Sequence, residues 1–224
     1  MRFFLLCIFF LHTFLMAEAI NIDAIRKELN TSLETQITGQ NKEIVQALYA
    51  ANGNRPIWIG AENKTKMNEL IQALKDPLFN YKNKPFDQPS ITKLFYLVDN
   101  NAVRPSQRAK VFARLDLLLT NSFVRLVRFI VQGDVDWALV QKKLAALEKS
   151  DDIIAKWEMQ PKGMPDIRSL KNALSNEEIY PYLSSLLPME ERYRKLVKLL
   201  TVYRVMDKFP KISYSKYPDR KSVV

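Results

Sequence analysis

The longest predicted element runs from about Pro105 to Gln132, with proline at its first position, where no backbone donor is lost, and Gly133 at its end. Val111, Leu115, Leu119, Phe123, Leu126 and Ile130 share one broad side of such a helix. Lys110, Arg114, Asn121, Arg125 and Arg128 form a narrow stripe on the opposite side.

The remaining pattern is helical as well. The chain has only 5 glycines, and alternating strand patterns are hard to find. Ile22, Ile25, Leu29, Leu33 and Ile37 recur at helical spacing, with Asp23 early in the segment, where a carboxylate suits the helix dipole. Ile44, Val45, Leu48 and Tyr49 mark a second helix, broken at Asn52-Gly53-Asn54, a sequence suited to positive φ. Pro56-Ile57-Trp58-Ile59 reads as an extended piece. Met67, Leu70, Ile71 and Leu74 mark a third helix, stopped by Asp76-Pro77, and another starts near Ile91 after a proline-containing loop. Asp134 and Asp136 read as caps for a helix carrying Trp137, Leu139, Val140, Leu144 and Leu147. Asp166, the run Asn176-Glu177-Glu178 and the run Pro188 to Glu191 open three more. The expected fold is all-α: a single irregular multi-helix bundle with one long central helix.

Phe3 to Met16 is an apolar run behind Arg2, about the length of a signal-peptide core and too short to span a bilayer, which takes about 20 residues. Ala17-Glu18-Ala19 supplies the small-residue site, so cleavage is expected after Ala19 and the protein is expected in the periplasm. Residues 1–19 are therefore assigned to a signal peptide, 20–210 to a helical domain and 211–224 to a basic tail. Cys7 and His12, the only cysteine and histidine, leave with the leader. The mature chain then has no thiol and no imidazole, which excludes cysteine nucleophiles, Cys/His metal sites, disulfides and Ser-His-Asp triads. No later stretch is apolar enough to form a transmembrane segment.

The motifs that could carry chemistry are few. Ser90-Ile91-Thr92-Lys93 matches S-x-x-K, but K-T-G is absent and one chance match is expected at this serine and lysine content. Asp151-Asp152, Glu177-Glu178 and Glu190-Glu191 are adjacent carboxylates; neighbours in a helix point to different sides, so each pair complements a helix start and cannot flank one bond. No Gly-rich phosphate loop and no cofactor motif is present; composition leaves an oxygen-only metal site open, but no EF-hand spacing appears, and no metal ligand or catalytic residue is assigned. Asn30-Thr31-Ser32 and Asn63-Lys64-Thr65 are glycosylation acceptor triplets, the first with Glu28 two positions ahead.

The net charge is +10. An exported protein does not meet nucleic acid; the anions outside the inner membrane are lipid phosphates, lipopolysaccharide and peptidoglycan carboxylates. The stripe Lys110, Arg114, Arg125 and Arg128 is either a solvated face or a strip of contacts for an anionic ligand.

Leu48-Tyr49-Ala50-Ala51-Asn52-Gly53-Asn54-Arg55-Pro56-Ile57-Trp58 resembles the opening of the scaffold region of YcbB-type L,D-transpeptidases. Leu115-Asp116-Leu117-Leu118-Leu119-Thr120, with Phe123 to Leu126 and Gly133, is similar to that family's long central helix, and Asp136-Trp137 to the start of the next. Tyr182 to Pro188, then Tyr193, Leu196, Leu200, Tyr203 and Arg204, resembles its closing helix. The resemblance implies a helical scaffold lobe in cell-wall remodelling. In the family a peptidoglycan-binding module and a YkuD-type catalytic domain with an S-H-G-C-x-R motif follow; no position here matches that motif, so no catalytic role carries over. Three readings follow: a non-catalytic scaffold that binds peptidoglycan or a separate catalytic transpeptidase, a truncated or split half of such an enzyme, and a carboxylate-dependent cell-wall hydrolase. The last requires two acidic side chains facing one cleft about 5 to 9.5 Å apart.

Overall fold

The computed structural model describes residues 21–147, 162–176, 178–188 and 191–206. The expected signal peptide, the pair Asp151-Asp152, Glu177, Glu190 and the basic tail lie outside the described residues. The fold is all-α. Among the described residues there are nine α-helices and no strand.

Local chemistry sets most of the helix boundaries. Helix α1 (Ile22–Gln36) starts where the Asn21 side chain accepts from the Ala24 amide, and it buries Ile25, Leu29 and Leu33. Ile22, expected on the same face, is exposed because it sits on the first turn. Helix α2 (Lys42–Ala51) ends at Gly53 and Asn54, both at positive φ (66° and 54°). Helix α3 (Lys64–Lys75) stops before Asp76-Pro77. Helix α4 (Gln88–Asp99) opens with Pro89 in its first turn, and α5 is Pro105–Gln132, closed by Gly133 at φ 70°. Helix α6 (Trp137–Leu147) is capped by Asp136, whose carboxylate accepts from the Leu139 amide. Asp134 does not cap it; its carboxylate reaches back to Lys82 and Lys84. Helices α7 (Ile167–Ser175) and α8 (Ile179–Leu186) follow, and Asp166 caps α7 through the Ser169 amide.

The chain divides into two units, Met1–Leu187 and Pro188–Val224. In the first, α1, α3, α4 and α8 pack on α5, and α2 packs on both α5 and α7. Helix α5 is therefore buried on more of its circumference than one amphipathic side. Phe112, Ala113, Leu117, Val124 and Val127 are buried alongside Leu115, Leu119, Phe123 and Leu126, while Val111 and Ile130 are only half-buried. Each fully buried leucine or phenylalanine here contributes about 2 kcal/mol. In the second unit, helix α9 (Glu191–Val205) has no buried residue, and Leu196, Leu199, Leu200 and Val205 are exposed.

Candidate functional site

Asp116 lies in the middle of α5 with apolar neighbours on either side, and it is fully buried. A carboxylate there has to find donors inside the protein. Donors reach it from the Tyr49 hydroxyl at 2.7 Å, the Ile57 amide at 3.0 Å, the Trp58 amide at 2.8 Å and the Ile59 backbone. One turn on, Thr120 Oγ1 lies 2.9 Å from the Tyr49 hydroxyl and accepts from Trp58 Nε1 at 2.9 Å. The 55–59 segment is therefore held to α5 by its backbone as well as by its indole. It is not a strand; its amides are satisfied by a side chain. Trp58 packs edge-on to Phe123, at 6.4 Å between ring centroids.

Lys66 completes this network. It is 3 % exposed, and its ammonium donates to the Ile57 carbonyl at 2.9 Å and the Leu174 carbonyl at 2.8 Å. Leu174 is in the last turn of α7, where a cation meets orphan carbonyls and the negative end of the dipole. Lys66 thus ties α3, the Trp58 segment and α7 together.

Burial shifts the titration of both central groups. It raises the Asp116 carboxyl from 3.8 to about 6, against the hydrogen bonds from Tyr49, Trp58, Ile57 and Ile59, which favour its ionised form. Burial, then the neighbouring Asp116 charge, pushes Tyr49 well above its ordinary value. No buried side-chain nitrogen or oxygen among the described residues lacks a partner. The network is saturated by its own partners and ties helices together; its Ile57, Lys66 and Leu174 also border a cavity of about 260 Å³.

The structure divides the basic stripe of α5. Arg125 pairs with Asp87 at 2.8 Å and lies over the Phe86 ring. Phe86 and Asp87 are successive left-handed residues (φ 38° and 59°), a conformation that costs each non-glycine residue about 1 kcal/mol or more. Ser122 donates to the Phe86 carbonyl at 2.7 Å, so Ser122 and Arg125 together hold that bend on α5. Arg128 Nε donates to Asn41 Oδ1 at 2.8 Å, fixing the turn between α1 and α2. Lys110 and Arg114 are exposed, with no hydrogen bond or ion pair among the described residues. Arg125 and Arg128 also line a cavity of about 210 Å³, which Asp134 shares. Lys82 and Lys84, bonded to Asp134, hold its carboxyl below the usual carboxylate range. The four sequence-selected cations are thus not gathered into one pocket.

Other concave regions were not anticipated from sequence either. Helices α3 and α4 and the loop between them form an open groove of about 890 Å³ that carries Lys75, Lys84 and Lys93. A cleft of about 500 Å³ carries Asp166 and Glu178, and there Asp166 is already committed to capping α7 at 2.7 Å. Tyr182 in that cleft accepts from Ser169, and burial raises its phenol. Ser90 and Lys93 of the S-x-x-K match are both exposed on α4, with no hydrogen bond between them. Among the described residues no group of three or more His, Cys, Asp or Glu could hold a metal ion, and no helix is long and apolar enough to cross a membrane.

A protein-family model, the Scaffold domain, matches residues 43–200, more than half of the chain. The chain belongs to the Scaffold domain family. The match takes in every member of the buried network, Tyr49, Trp58, Lys66, Asp116, Thr120 and Leu174, while α1 precedes it. No curated protein and no solved structure matches the chain. What marks this Scaffold domain internally is Asp116, which the apolar pattern of α5 gave no role. The signal for it was a lone carboxylate on a leucine-rich face with a threonine one turn on.

Proposed function

We propose that the protein is a non-catalytic scaffold of the periplasm that acts in peptidoglycan remodelling, holding cell-wall material or a separate catalytic transpeptidase. One observation carries this reading. The segments that resemble the scaffold lobe of L,D-transpeptidases, Tyr49 to Trp58 and Leu115 to Thr120, meet in a network of internal hydrogen bonds that fixes helices. A residue set used in this way builds a platform. The expected export signal, a net charge of +10 and exposed lysines and arginines favour an anionic polymer as the material held. The lack of a mature thiol or imidazole supports a role without acyl-transfer chemistry.

The test is co-sedimentation of the full chain with purified peptidoglycan sacculi, together with a two-hybrid screen against transpeptidases from the same source. Binding in either assay, without hydrolysis of the sacculi, is expected. Negative results in both, or release of soluble muropeptides by the protein alone, would contradict the reading.

A further inference from the structure

The groove between α3 and α4 is the roomier of two concave regions lined by lysines without a carboxylate; in the other, of about 260 Å³, Lys66 is already spent on two backbone carbonyls. The lining of the α3–α4 groove carries Lys75, Lys84 and Lys93 and no carboxylate. Lys84 is already paired with Asp134. Lys75, on the last residue of α3, and Lys93, in the second turn of α4, are exposed and have no hydrogen bond or ion pair among the described residues. Leu74, Pro85, Pro89 and Leu97 give the same lining an apolar part. Tyr96 stands at the rim with 66 % of its surface exposed.

The walls of the groove are built, not incidental. Asn80 is 2 % exposed and donates to the Leu74 and Lys84 carbonyls while accepting from the Lys84 amide, each at 2.8 Å. Gln88 donates to the same Leu74 carbonyl at 2.6 Å. These bonds tie the end of α3 to the start of α4, so the groove stays open with little reorganisation on binding.

Its chemistry selects the ligand. Two separated ammonium groups in a partly apolar lining suit a chain with spaced carboxylates and small apolar side groups. Arginine forks, which match phosphate bidentately, are absent from the lining. The single aromatic ring offers no stacking ladder for bases. The volume suits a ligand of a few residues.

We propose that this groove binds the carboxylate-bearing peptide of peptidoglycan, with Lys75 and Lys93 pairing to its carboxylates and Leu74, Pro85, Pro89 and Leu97 receiving its apolar side groups. The proposal rests on the peptidoglycan reading above. It gives that reading a site on α3 and α4 and not on the α5 stripe.

The experiment uses the full chain and three probes: intact sacculi, sacculi stripped of peptide by an amidase, and vesicles of anionic phospholipid. The wild type is expected to co-sediment with intact sacculi and to lose most of that binding on the stripped glycan. Lys75→Glu with Lys93→Glu should weaken binding to intact sacculi about tenfold or more, with an unchanged circular dichroism spectrum. The paired Lys75→Gln, Lys93→Gln variant provides the same test should the charge reversal disturb folding. Equal binding by folded double variants, with sacculi still bound, would overturn the groove and leave the peptidoglycan reading standing. Equal binding to stripped glycan, or lysine-dependent binding to the vesicles alone, would overturn the peptide as ligand. No sedimentation of the wild type with sacculi would overturn the groove and the cell-wall-binding arm of the reading, leaving only the transpeptidase arm to the two-hybrid screen.

Discussion

The Asp116 network and the α3–α4 groove use polar groups in opposite ways. In the network every donor and acceptor is matched inside the protein, down to an ammonium on two carbonyls and a carboxylate on backbone amides and a phenol. In the groove the lysines at either side have no matched partner among the described residues. The lesson is that polar residues in family-like motifs need not form the working site. Here they hold the helices in place, and the cations left for a ligand, Lys75 and Lys93, lie outside the segments that resemble the family.

Substitutions should separate the two regions. Trp58→Ala removes a fully buried indole together with its bond to Thr120, and should cost about 4 kcal/mol by urea unfolding. Lys66→Ala leaves the Ile57 and Leu174 carbonyls buried without a donor, and should cost about 2 to 3 kcal/mol. If either variant kept wild-type stability, the network would not be a structural lock.

The same lock has a pH signature. The folded-state carboxyl of Asp116 is raised to about 6 from 3.8, so the folded state holds this proton more tightly than the unfolded chain does. Its contribution to stability is therefore greatest below about pH 4 and is lost as pH rises through about 6. Urea midpoints from pH 4 to 7 should show the wild type losing ground to Asp116→Asn over that window. Parallel pH profiles would remove the assignment.

Smaller effects are expected on the surface. Arg125→Gln breaks a half-exposed pair with Asp87 at the Phe86-Asp87 bend, and should lower stability by about 1 kcal/mol or less. Arg114→Gln should change it by less than about 0.5 kcal/mol. Thermal melts of the two single variants would show whether the stripe divides as the contacts indicate; an equal loss in both would rejoin it.

Much of the fold was legible because helical spacing and end signals are local. The bounds of α5, the break at Asn52-Gly53-Asn54, the stop at Asp76-Pro77 and the cap at Asp166 all follow from residues within a turn of one another. What spacing could not show was non-local. Asp134 looks like a cap but meets Lys82 and Lys84 some 50 residues earlier in sequence. Arg125 and Arg128 look like solvated cations, yet Asp87 and Asn41 reach them across the bundle. The groove depends on how α3 and α4 pack, and neither helix alone implies it.

The most direct measurement is the equilibrium urea unfolding of Asp116→Asn at pH 7. The amide keeps the size of the carboxyl but turns a donor toward the Ile57 or Trp58 amide. A loss of about 2 kcal/mol is predicted, with sacculus binding retained by the folded variant. Wild-type stability combined with lost binding would contradict the lock and point to a functional role for Asp116.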